Sequence, residues 1–197
     1  KNPYTLNITS ADKEHLIKLR TVLSSNHKIG EKKSGSGGVG FQFQTRNKTI
    51  TSNLRKLGIY PRKTYNLNPI KVPNKYFSHF TRGFFDGDGS VYIYKVNKSD
   101  QIKVSFVNAS FPFLQDFNQR LCKSLNIKLK TIHSSKSTNK NLPLHSIYFY
   151  IDDCKKLSQF MYNKSNIHLS RKKKIFDKWE NADRPKYIKR GYPSKIG

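Results

Sequence analysis

The strongest constraint on the fold of this chain is that it repeats itself. Residues 4–29, YTLNITSADKEHLIKLRTVLSSNHKI, lie without a gap on residues 102–127, IKVSFVNASFPFLQDFNQRLCKSLNI, at a constant offset of 98. Leu6 and Ile8 meet Val104 and Phe106 at strand spacing, while Leu16, Leu19 and Leu23 meet Leu114, Phe117 and Leu121 at helical spacing. Identity is low, so the apolar pattern carries the match. Each copy reads as a half-buried strand running into an amphipathic helix. Further on, Phe41 and Phe43 alternate with Gln42 and Gln44, as Ile147 and Phe149 alternate with Tyr148 and Tyr150, here at an offset of 106. A second helix follows around Ile50, Leu54 and Leu57, and again around Leu157, Phe160 and Met161. Asn47 and Asp152 are the expected N-caps. Both copies close on a basic turn, Tyr60-Pro61-Arg62-Lys63 and Leu169-Ser170-Arg171-Lys172. A strand–helix–strand–helix unit occurring twice predicts a pseudo-symmetric protein containing both helices and sheets. Residues 64–74, with Pro69 and Pro73, read as a linker between a first unit over 1–63 and a second over 75–183. A basic tail follows over 184–197.

Charge narrows the partner. The chain has 38 Lys and Arg against 12 Asp and Glu, a formal net charge of +26, which points to nucleic acid. Apolar residues make up only 35%, but 13 Phe and 11 Tyr supply enough buriable surface to argue against disorder. No apolar run approaches the ~18–20 residues that span a bilayer, and the start Lys-Asn-Pro-Tyr has no signal-peptide character. Cys122 and Cys154 are too few for a disulfide framework or a zinc site. An intracellular, soluble protein is expected, and the wealth of Lys, Asn and Ile hints at an AT-rich genome.

The second copy carries a segment that the first lacks. TRGFFDGDG, residues 81–89, precedes a strand over Val91–Val96. Gly83 and Gly87 are four apart and share a helix face, which would let a second helix backbone approach closely. Asp88 then falls at the helix C-terminus, where the macrodipole disfavours an anion and a divalent cation would reverse that penalty. Gly89 suits the exit from the helix. Asp-Gly pairs also form ordinary surface turns. An EF-hand fits Asp86, Asp88 and Ser90 at positions one, three and five, but fails at Val91 and Asn97, where Gly and Glu are needed.

This motif resembles the LAGLIDADG motif of homing endonucleases, with aromatics at aliphatic positions, and the flanking repeats resemble the two halves of a single-chain member. The resemblance implies an α+β fold of two αββαββα-type repeats, each an antiparallel saddle-shaped sheet backed by helices. The first repeat would lack its N-terminal helix and strand. It implies a metal-dependent, sequence-specific double-stranded DNA endonuclease using Mg²⁺ or another divalent cation such as Mn²⁺ or Ca²⁺. Asp88 matches the metal-binding acid and Gly87 the residue whose carbonyl assists; Gly83, Gly87 and Phe84 match the helix interface, and Asp86 looks structural. Lys63 and Lys172 match a Lys kept near the cleavage centre, with plain phosphate contact as the alternative. Asn108, like Ser10, sits where the family often positions water, although helix capping explains both as simply. The partner acid has no counterpart here, so a catalytically inactive DNA-binding regulator or an RNA-splicing maturase is the alternative, and a basic ribosomal RNA-binding protein a third. A monomer is expected if a first motif precedes Lys1, and otherwise a homodimer; the host compartment would be an organelle or a bacterial or phage cytoplasm.

DNA-reading candidates follow from strand faces and loops. Gln42, Gln44 and Arg46 share one face, and such side chains read adenine and guanine. The motif strand offers either Tyr92, Tyr94 and Val96 or Val91, Ile93 and Lys95. Tyr148 and Tyr150 occupy matching positions later, and Lys103 and Arg171 add charge. Lys32 and Lys33 lie in a Gly/Ser-rich basic loop over 28–38, whose counterpart over 128–140 carries Lys130 and Lys136.

Overall fold

The computed structural model describes residues 4–33, 38–61, 67–97, 99–136 and 143–182. Both repeats form. In the first, β1 (Thr5–Ser10), α1 (Lys13–Val22), β2 (Ile29–Lys33), β3 (Val39–Arg46) and α2 (Lys48–Lys56) make an antiparallel sheet of order β1-β3-β2. In the second, α3 (Asn74–Asp88), β4 (Ser90–Val96), β5 (Ser99–Asn108), α4 (Phe111–Leu125), β6 (His133–Lys136), β7 (Pro143–Tyr150), α5 (Ile151–Tyr162) and α6 (Ser170–Glu180) surround a sheet of order β4-β5-β7-β6. The order β5-β7-β6 repeats β1-β3-β2, which is the pseudo-symmetry that the duplication predicts.

The offset of 98 survives in three dimensions: α1 starts at residue 13 and α4 at 111, and 111 − 13 is 98. The second offset does not. Ile8 pairs with Phe43 and Phe106 with Ile147; Leu6 pairs with Thr45 and Val104 with Phe149. Thus 147 − 43 and 149 − 45 both equal 104, two fewer than the alternation suggests. A two-residue slip keeps every side chain on its face, so alternation alone cannot detect it. Parts of both expected basic loops are strands, β2 and β6.

The core lies between the second sheet and its helices. Ile102, Val104, Phe106, Ile147 and Phe149 from the sheet meet Leu114, Phe117 and Leu121 of α4, Leu157 and Met161 of α5, Phe85 of α3 and Phe176 of α6. Trp179 is buried there, its indole N–H reaching the Asp100 carbonyl at 3.4 Å. In the first repeat, Leu16 and Phe43 are fully buried. The segment expected as a linker is a packed strap where described: Leu67 and Ile70 bury against Phe113, Ser110 Oγ donates to the Leu67 carbonyl, and Arg120 donates to the carbonyls of Ile70 and Val72.

Caps differ in part from expectation. Asn47 caps α2, its Oδ1 accepting from the Ile50 amide at 2.9 Å. Tyr150, not Asp152, is the N-cap of α5, and Asp152 lies in the first turn, where the dipole favours it. Ser10 and Asn108, related by 98, each accept the amide two residues on, Asp12 at 3.0 Å and Ser110 at 2.8 Å. They turn the chain out of the strand two residues before the caps, Asp12 and Ser110.

Candidate functional site

Helix α3 presents two faces. Phe77, Thr81, Arg82, Phe85 and Asp86 are buried, whereas Gly83, Gly87 and Asp88 are exposed. Asp88 is its last residue, and an added Cβ at Gly83 or Gly87 would meet nothing within 4 Å. That face borders a cleft of about 580 Å³ whose other wall is Ile8, Thr9, Ser10, His15 and Leu19 of the first repeat. Among the described residues no second helix lies on the glycines. Phe84 is not on this face; it packs against Phe106, Phe113 and Phe117 with ring centres 5.0–5.4 Å apart. One residue turns a helix by about 100°, which carries Phe84 from the glycine face into the core. Gly89 leaves the helix in extended backbone at φ −80°, so no left-handed turn requires glycine there. Space does: a Cβ would overlap the Phe85 side chain and lie 2.9 Å from its Cα.

The end of α3 is tied to α6 by buried polar groups. The Asp86 Oδ2 accepts from the Leu169 amide at 3.0 Å, while its Oδ1 is buried without a partner. Burial raises the Asp86 pKa, opposed by that amide. The Lys172 ammonium donates to the carbonyls of Phe85 (2.6 Å), Asp86 (3.0 Å) and Gly89 (2.6 Å). Lys172 is 5% exposed, and burial followed by repulsion from Arg171 pushes its pKa down to about 8. The basic turn expected around it is the first turn of α6. One turn earlier on α3, Arg82 donates to the carbonyls of Ile167 and Met161, both at 2.7 Å, and lies 2.8 Å from His79 Nδ1. Sequence reading missed Arg82, although its place four residues before Asp86 puts both on one helix face. Asn108 lies at the same end of the sheet, three residues beyond the Ser105 that pairs with Ser90. Lys63 lies outside the described residues.

A divalent cation can be tested against these oxygens. Among the described residues no group of three His, Cys, Asp or Glu converges on one point. Asp88 offers one exposed carboxylate. Beside it, the Gly87 carbonyl cannot bond within the helix, because residue 91 is already in β4. This donor set is too small for an all-protein cage and could hold Mg²⁺ only with further oxygens from outside the chain.

The open faces of the two sheets differ chemically. Gln42, Gln44 and Arg46 share one face of β3, beside Asn7 and Thr9 of β1, with Phe43 and Thr45 buried behind. Lys32 falls in the rung of Gly40 on that side, whereas Lys33, opposite Val39, alternates to the other. On the second sheet Val91 is buried and Tyr92 is 45% exposed, which selects the tyrosine face of β4. Tyr92, Lys103 and Tyr150 share a rung, and the Lys103 ammonium sits 4.0 Å from the Tyr148 ring centre and 5.6 Å from that of Tyr150. Lys95 is on the opposite face, 3.9 Å from Asp100. Lys130 is drawn from the expected DNA-contacting set into an ion pair with Asp153 at 2.6 Å. Lys136 is exposed at the end of β6, and Arg171 bridges to Asp12 of the first repeat at 3.0 Å. The EF-hand alternative fails structurally, because Asp86 and Asp88 lie in helix and Asp86 is buried.

The sequence profile of a LAGLIDADG-like domain matches residues 78–173, just under half of the chain. No curated protein sequence matches the chain. Among solved structures, the LAGLIDADG homing endonuclease I-GzeII in complex with its DNA target shares 11% identity over 89% of this chain and 77% of its own, with a TM-score of 0.52. The homing endonuclease I-WcaI bound to its DNA recognition sequence shares 18% over 89% and 76%, at 0.45. The LAGLIDADG meganuclease I-AabMI bound to uncleaved DNA shares 15% over 88% and 79%, at 0.47. The fold of this chain is that of the first of these, two antiparallel sheets backed by helices.

Proposed function

We propose that this chain, whose residues 78–173 match the profile of a LAGLIDADG-like domain, is a sequence-specific double-stranded DNA endonuclease that hydrolyses phosphodiesters with a divalent cation, Mg²⁺ foremost. One observation carries the reading: Asp88 is exposed at the tip of a helix whose last turns border the cleft between two sheets of matching strand order. A duplex lying along both sheets would bring its backbone to that tip. The net charge of +26 favours the polyanion, and a solved structure with this fold, I-GzeII, is itself in complex with a DNA target.

In this reading Asp88 and the Gly87 carbonyl hold the cation, which would supply Lewis acidity and an activated water. Gln42, Gln44 and Arg46 face base edges of one half-site through hydrogen bonds. Tyr92, Tyr94, Tyr148 and Tyr150, around Lys103, face the other. Asp86 acts within the fold, as the acceptor that seats α6 against α3. A DNA-binding regulator or splicing maturase without cleavage is the second reading, favoured by the single motif acid among the described residues.

Selection from a randomised plasmid library, with Mg²⁺ or with EDTA, tests the proposal. Cutting with Mg²⁺ alone is expected. Asp88→Asn should abolish cutting while binding, measured by mobility shift on the selected site, is retained. Undiminished cutting by that variant would remove Asp88 from its role; binding without cutting by the native chain would favour the second reading.

A further inference from the structure

The buried Lys172 points to a role different from contact with DNA. A lysine ammonium has three N–H donors, and here carbonyls stand at 2.6, 3.0 and 2.6 Å, those of Phe85, Asp86 and Gly89. No donor is left for a phosphate or a water. The Phe85 ring centre lies 4.9 Å away and adds a further cation-stabilising contact. The three acceptors belong to the last turn and exit of α3, where the helix dipole favours a cation, and the Phe85 carbonyl accepts the Gly89 amide as well.

The choice of carbonyls is informative. Those of Phe85, Asp86 and Gly89 are turned to the ammonium. The Gly87 carbonyl and the Asp88 carboxylate lie between them in sequence and are not among its acceptors. We propose that Lys172 is a positioning residue that closes the C-terminus of α3 from within, so that the Gly87 carbonyl and Asp88 carboxylate are the oxygens presented outward. This rests on the metal role of Asp88 proposed above. The Asp86 carboxylate supports the same joint by accepting the Leu169 amide, so α6 is tied to α3 at its N-cap and, three residues on, at Lys172.

The test uses the full chain with Lys172→Met, which keeps the aliphatic stem and removes charge and donors, and Lys172→Gln, which keeps two donors. Hydrogen exchange is followed at Gly89, whose amide donates to the Phe85 carbonyl at 2.9 Å, and at residues of α4 as a control for global unfolding. Uptake of Tb³⁺, a hard-cation probe, is titrated in parallel, with Asp88→Asn defining the specific site. Expected for Lys172→Met are exchange at Gly89 at least tenfold faster with α4 unchanged, and a rise of at least tenfold in the Tb³⁺ concentration for half-saturation. Lys172→Gln should fall between.

Unchanged exchange at Gly89 would overturn the proposal, as would unchanged Tb³⁺ uptake combined with slower cleavage, which would place Lys172 in the chemistry itself. If the native chain cuts DNA while both readouts are indifferent to Lys172, this inference fails alone. If the native chain shows no Asp88-dependent uptake and no cutting, the proposed function fails and the positioning role with it.

Discussion

Asp86 and Asp88 are two residues apart and meet opposite fates, because two residues turn a helix by about 200°. Asp86 is buried against Leu169, and Asp88 ends the helix in solvent. Removing the buried acceptor leaves an orphaned amide. Asp86→Ala should therefore cost about 1–3 kcal/mol in urea unfolding, with Asp86→Asn, which keeps an acceptor, costing less. His168 provides a test of sign. Its Nδ1 is buried without a hydrogen bond, and burial, then repulsion from Lys173, lowers its pKa below 6.5. The unfolded chain therefore takes up the proton at higher pH than the fold. Its contribution to stability is present above that value and is lost as pH falls toward the lower, folded one. His168→Phe keeps the ring against Tyr162 and should flatten the decline of the melting temperature between pH 7 and 5. An unaltered decline would assign it elsewhere. Spacing in TRGFFDGDG placed Asp88 at the helix end, and the family resemblance set Asp86 apart as structural; its burial follows from contact with residue 169, which sequence distance hides.

At the scale of elements, α3 and its exit hold three glycines with different demands. Gly83 and Gly87 face open space, whereas Gly89 is crowded by Phe85. Gly83→Ala should stabilise the chain by up to about 1 kcal/mol through helix propensity, and Gly89→Ala should destabilise it by about 1–3 kcal/mol through overpacking. Thermal melts of the two variants should move in opposite directions. The strand faces were legible because apolar alternation survives in β1, β3, β5 and β7. Two features were not. The β3–β7 correspondence is offset by 104, since pairing with β1 and β5 sets it and period-two alternation does not. The basic turn expected over Leu169 to Lys172 is the start of α6, where burial of Lys172, Phe176 and Trp179 and the Lys173–Asp177 ion pair at 2.7 Å stabilise helix despite the run of like charge.

At the scale of the molecule, two sheets that share a three-strand order, the second with β4 added, offer two chemistries, amide and guanidinium on the first and tyrosine around a lysine on the second. Such a surface on a chain of net charge +26 should bind DNA with steep salt dependence, weakening by about 10³-fold or more between 50 and 200 mM salt for six or more phosphate contacts. Anisotropy titrations would measure this, and a flat response would contradict the proposed contacts. The sequence by itself determined the duplication, the alternation of β1, β3, β5 and β7, the charge that favours a polyanion and the acid at the tip of α3. These are periodicities and charges written along the chain, and local geometry translates them directly. Tertiary structure decided which tyrosine face is open, that Lys130 pairs with Asp153, that Phe84 joins the core, and that Lys172 is spent on three carbonyls. Each of these depends on which distant groups reach hydrogen-bonding or van der Waals distance, and packing alone brings residues 83 to 87 apart in sequence, such as Leu169 and Asp86 or Lys172 and Phe85, into contact.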